Sequence, residues 1–126
     1  MVTILREEKL ANGLQITFAD ESNRYFGDYH RVCVVATIAC LLHDLPVEGP
    51  DDEVLRRQAI ELIGDRLSVV KRLERMGVPT AAVVEVRTAL IDDFLRHASA
   101  YLCRPEYPRS LIKAELRKRG PKRFYA

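Results

Sequence analysis

Leu14-Gln15-Ile16-Thr17-Phe18 alternates apolar and polar positions with period two, the pattern of a half-buried strand. Asn12-Gly13 precedes it, and Asn-Gly between two strand-like runs predicts a β-hairpin, because both residues tolerate positive φ. Strands are expected over residues 3 to 10 and 14 to 19. A three-residue loop, Ala11-Asn12-Gly13, would pair Leu10 with Leu14 and hold Gly13 in the left-handed conformation. That register sets Leu10, Glu8, Arg6 and Ile4 on the face of Leu14, Ile16 and Phe18. A two-residue loop would set Glu7 and Lys9 there. Either way charges intrude on one side of the first strand, as on an edge strand guarded against mispairing.

Residues 20 to 29 read as a polar and aromatic loop. Residues 30 to 42 are rich in Val, Ile and Thr with apolar side chains on both faces, which predicts a central third strand. Val32, Val34 and Ile38 share one face of it; Cys33, Val35 and Leu41 share the other. A loop with two prolines follows. A first helix is expected from Asp51-Asp52-Glu53, whose carboxylates suit its free amides, to Gly64, a stop in the left-handed conformation. Residues 67 to 75 fit a strand or a helix, and the good stop at Gly64 favours a fourth strand. Gly77-Val78-Pro79-Thr80 reads as a break. Val83, Val86, Leu90, Phe94, Ala98 and Tyr101 then recur at helical spacing, widened by Ile91, Leu95 and Leu102, with Asp92 and Arg96 placed to pair. A last short helix should start near Pro108, bury Leu111 and Ile112, and end at Gly120-Pro121.

The expected fold is therefore α+β: an antiparallel sheet of three or four strands, an N-terminal hairpin plus meander, with the helical C-terminal half packed on one face. Helices can cover only one of the two faces of the third strand. The other would be an apolar patch, and a twofold homodimer is the commonest way to bury one. The last helix, or the loop around Tyr25-Phe26, could instead fold across it.

At 126 residues, 48% hydrophobic and 30% charged, the chain suits one globular domain with its own core. Residues 1 to 119 are expected to form it and 120 to 126 a basic tail. Charge comes too early at Arg6-Glu7-Glu8 for a signal peptide, and residues 32 to 42 are too few to span a bilayer, so a cytoplasmic location is expected. Three cysteines, Cys33, Cys40 and Cys103, do not form a disulfide framework and fit reduced thiols. The net charge of +2 conceals an asymmetry: residues 109 to 126 hold seven Lys or Arg against one Glu, so the rest is net acidic. The tail Arg117-Lys118-Arg119-Gly120-Pro121-Lys122-Arg123-Phe124-Tyr125 has cations and aromatics that could touch nucleic acid, although charged termini are most often simply solvated.

Candidate chemistry is sparse. Cys40 and His43 have a Cys-x-x-His spacing, but a structural zinc needs four ligands, and Cys33 should face away from Cys40. His97 lies near the apolar stripe of the long helix and reads as a boundary residue. No nucleophile elbow, phosphate-binding glycine loop or catalytic carboxylate pair is present. His43-Asp44 in Ala39-Cys40-Leu41-Leu42-His43-Asp44-Leu45 resembles the pair that names the HD-domain phosphohydrolases. That resemblance implies a divalent metal on His43 and Asp44 activating water against a phosphoester. The family is all helical, however, and a β-branched run precedes the pair here; the plainer reading is the polar end of a strand, without metal. Asp20 and Ser22, with Gly27 beyond, are loosely similar to the Asp-x-Ser-x-x-Gly signature of PilZ domains, which implies a cyclic-dinucleotide site. The family's arginine pair is missing and Gly27 is two positions late, so the plainer reading is that Asp20 and Ser22 cap a turn.

As a whole, Asn12-Gly13-Leu14, Asp20 to Ser22, Gly27-Asp28, the Val-rich strand, Leu73-Glu74-Arg75 and Ala100-Tyr101-Leu102 before Pro105 resemble an uncharacterised family of small bacterial proteins. That likeness implies an architecture and no activity. The expected function is a small non-enzymatic binding or interaction protein, without a cofactor, that self-associates. A PilZ-like cyclic-dinucleotide sensor and an HD-type phosphohydrolase are the alternatives.

Overall fold

Gly13 stands at φ 92°. The loop it closes is fastened by Leu10 N–H to Leu14 O at 2.8 Å and Gly13 N–H to Leu10 O at 3.0 Å. The three-residue loop is therefore the one formed, between β1 (Thr3–Lys9) and β2 (Leu14–Asp20). The structure is a computed structural model describing residues 3–44 and 49–119; the expected loop residues 45 to 48 and the expected basic tail at 120 to 126 lie outside the described residues, as do residues 1 and 2.

β3 (Asn23–Phe26) and β4 (Tyr29–Leu41) follow, then α1 (Pro50–Leu62), β5 (Arg66–Pro79), α2 (Val83–Leu102) and α3 (Tyr107–Arg119). Short 3-10 turns, Leu42–Asp44 and Thr80–Ala82, join the larger elements. All strand pairs are antiparallel: β1 on β2, β2 and β3 on one side of β4, and β5 on its other side. The fold is α+β, with five strands and the helices in the C-terminal half.

One face of the sheet holds the core. Leu14, Ile16 and Phe18 of β2 meet Cys40, Ile38 and Ala36 of β4 in register. With Val34 and Leu67 they pack on Ile91, Ala98 and Leu102 of α2, on Ala59 of α1 and on Ile112 of α3. Phe18 is fully buried and meets Phe94 edge to face, ring centroids 5.9 Å apart.

Several local expectations change. β3 forms where a loop was expected, turned onto β4 at Gly27 with φ 53°. Residues 67 to 75 are strand, as expected, but β5 runs on through Gly77 and Pro79, where a break was expected. Met76 and Gly77 together lie opposite Arg31 in the β4 ladder, and Gly77 takes φ 68°. This is a bulge with glycine in the left-handed conformation, which carries a strand past residues that usually stop one. Pro79 is tolerated because β5 is an edge strand. A second bulge in β1, between Ile4 and Arg6, pairs Ile4 with Ala19. Ile4 therefore leaves the core face and is 51% exposed, while Leu5 packs against the core. α1 starts at Pro50 behind Gly49, which has no side chain to cap it, and Asp51, Asp52 and Glu53 stand in its first turn. Arg96 pairs with Asp93, and Asp92 receives Arg6 of β1 at 3.2 Å, instead of pairing with Arg96.

Candidate functional site

Three places bear on function: the residues singled out for chemistry, the sheet face that no described helix covers, and a cavity beside the hairpin turn.

The chemistry candidates divide. Asp20 accepts the Ser22 N–H at 2.9 Å on one carboxylate oxygen and Arg87 of α2 at 2.7 Å on the other. Burial alone would raise its pKa, but the bonds from Ser22 and Arg87 outweigh it and hold the carboxyl below its usual range. Ser22 Oγ accepts the Cys33 N–H at 2.9 Å. The pair thus binds the β2–β3 turn to β4 and anchors the start of α2. His43 Nε2 lies 3.1 Å from Asp65 Oδ1, with both side chains mostly in solvent; Asp44 closes the same 3-10 turn. Among the described residues no group of three or more His, Cys, Asp or Glu side chains is placed to hold a metal. His97 bonds through Nδ1 to the Asp93 carbonyl of its own helix at 2.8 Å. Cys40 is in the core, where burial pushes its thiol up to about 11, Cys33 is on the opposite face and Cys103 is exposed.

The opposite face is built from the odd positions of β4. Cross-strand registers lay Ala19 beside Val35 and Arg72, Thr17 beside Thr37 and Val70, and Gln15 beside Ala39 and Ser68. These rows are uncharged except at Arg72, and their side chains are mostly short. Charges sit at the margin: Glu7 and Lys9 on β1, Arg66 and Arg72 on β5. At one end Arg31 bridges Glu74 at 2.6 Å and Arg72 bridges Glu21 at 3.0 Å, so Cys33 beneath them is fully buried. Away from that cover the face is open: Val70 is 54% exposed.

The cavity lies on the helix side, at the hairpin tip. Asn12, nearly buried, donates from Nδ2 to the Leu102 carbonyl at 2.5 Å and the Arg104 carbonyl at 2.8 Å, and accepts the Leu14 N–H at 3.2 Å. The turn residue therefore caps the Leu102 carbonyl at the C-terminal end of α2 and ties down the turn beyond it, where Arg104 O also accepts the Tyr107 N–H at 3.1 Å. Next to it Ala11, Leu55, Pro105, Pro108 and Ile112 wall a space of about 210 Å³. Arg109 of α3 reaches Asp52 of α1 at 2.7 Å across it. Neither the face nor the cavity shows in any short motif; one is a periodicity, the other joins three separated segments.

Compared with protein-family models, with curated proteins and with solved structures, the chain matches none.

Proposed function

We propose that this protein is a non-enzymatic interaction module that pairs with a second copy of itself through the open face of its sheet. The observation that carries the reading is the uncharged centre of that face, Thr17, Ala19, Val35, Thr37 and Ala39, left without a helix over it among the described residues. In a twofold interface the same patch meets itself, so a neutral centre avoids like-charge contact while charges at the rim stay wet. Short side chains let two sheets approach to the usual separation of roughly 10 Å. Val70 and Ile4, each about half exposed, add apolar area to the same face.

Asp20 and Ser22 are engaged in holding the β2–β3 turn against β4. Sedimentation equilibrium tests the proposal. The dimer mass is expected at high micromolar concentration, and Thr37→Lys, which sets a charge at the patch centre on a half-buried strand position, should return the monomer with the fold intact. A strictly monomeric wild type at that concentration overturns the proposal.

A further inference from the structure

The cavity beside the hairpin turn has the makings of a ligand site, independent of the open face. Its walls are apolar and stiff. Pro105 fixes the backbone of the α2–α3 turn and Pro108 that of the first turn of α3, and the Asn12 bonds hold the turn against the hairpin. A wall that does not have to order itself loses little on binding. Ile112 at its base is fully buried.

Two arginines line this space, Arg56 of α1 and Arg109 of α3. Arg56 uses Nη2 for both Glu53 oxygens, at 3.2 and 3.0 Å. Arg109 uses Nη2 for Asp52 at 2.7 Å. The Nε and Nη1 donors of both side chains have no partner among the described residues. Planar forks with free N–H groups beside apolar surface suit a carboxylate better than a point cation would. Each guanidinium is already matched by one carboxylate, Arg56 by Glu53 and Arg109 by Asp52, so a further carboxylate is held by the remaining N–H donors and not by an excess of charge. A space of about 210 Å³ is below the roughly 300–1,000 Å³ of drug-sized sites.

We propose that this cavity binds a small monocarboxylate with a compact apolar body, the carboxylate between Arg56 and Arg109 and the body against Leu55, Pro108 and Ile112. Cys103 supplies the readout. It also lines the cavity and is exposed, whereas Cys33 and Cys40 are buried. Alkylation of Cys103 by N-ethylmaleimide, followed by mass spectrometry, is therefore sensitive to occupancy. Hexanoate is the probe and hexanamide, its neutral counterpart, the control. At ten times its dissociation constant a ligand leaves about one site in eleven open, so hexanoate at that concentration should slow alkylation about elevenfold. Hexanamide should have little effect. Arg56→Gln keeps Asp52–Arg109 intact and should lose most of the protection; Arg109→Lys, which keeps the charge and loses the fork, serves where the first variant does not fold. Equal slowing by acid and amide, undiminished protection in a folded Arg56→Gln protein, or no slowing at millimolar hexanoate would each overturn the assignment.

Discussion

On β4, residues two apart share a face, and the two sets meet different surroundings. Val34, Ala36, Ile38 and Cys40 lie against helices and are almost fully buried. Cys33, Val35 and Ala39 are also nearly buried, yet among the described residues no helix covers them. Their cover comes from strand neighbours and from the Arg31–Glu74 and Arg72–Glu21 bridges. Low exposure therefore has two meanings on one strand. On the helix side it marks packing in depth; on the open side it marks a shallow layer that a partner can replace. The neighbouring strand shows the same division: Phe18 is sealed under Phe94, while Thr17, next along the chain, is only half-buried.

Paired truncations across β2 should break this symmetry most visibly. Phe18→Ala removes a buried aromatic ring and is expected to cost about 3–5 kcal/mol. Thr17→Ala, on the open face, is expected to stay within about 0.5 kcal/mol. Urea titration of both variants checks this; similar losses would mean that the open face is packed as deeply as the other.

A smaller effect is expected at the hairpin turn, which joins the sheet to the helix layer. Asn12→Ala leaves the Leu102 and Arg104 carbonyls without their side-chain donor, at a cost of about 1–3 kcal/mol. Gly13→Val tests the same turn through the backbone alone, because nothing lies within 4 Å of an added Cβ. Its cost is the strain of a β-branched residue at φ 92°, about 1–3 kcal/mol. Denaturant midpoints at wild-type stability in either variant would remove the turn from the account.

The smallest expected effect depends on pH. Asp20 has its folded pKa lowered against an unfolded value of about 3.9. The stability it confers is therefore present above that value and is lost as pH falls through the folded pKa. Asp20→Asn should be less stable than wild type at neutral pH, and the gap should narrow in acid below about pH 4. A gap of constant size from neutral pH into acid would show that the Asp20 charge makes no contribution.

Much of this architecture was readable because the relevant forces are local. Asn12-Gly13 sets its own loop, the β-branched run of β4 has no helical alternative, and Gly64, at φ 110°, ends α1 by its backbone freedom. Where the reading failed, a partner far along the chain decides. Gly77 and Pro79 look like a stop until β4 is present to pair with a bulged strand. Ile4 looks like a core residue until the bulge next to it turns it outward. The open face was foreshadowed in the odd positions of residues 33 to 41, but which face the helices take depends on the one-sided β2 pattern of Leu14, Ile16 and Phe18. The cavity left no trace in the sequence, since Asp52 and Arg109 meet only after α1 and α3 dock.

The Asn12 lock carries a consequence for the order of events as the chain acquires its shape. The two carbonyls it caps lie 90 and 92 residues downstream. A chain emerging from its N-terminus can close the Asn-Gly hairpin at once, within microseconds. It cannot tie that hairpin down until the end of α2 has been made, and closing so long a loop is entropically slow. Until then the first two strands are a provisional hairpin, marginal without the rest of the sheet and its helices. Asn12 is where the first hairpin is made fast to the last turn of α2.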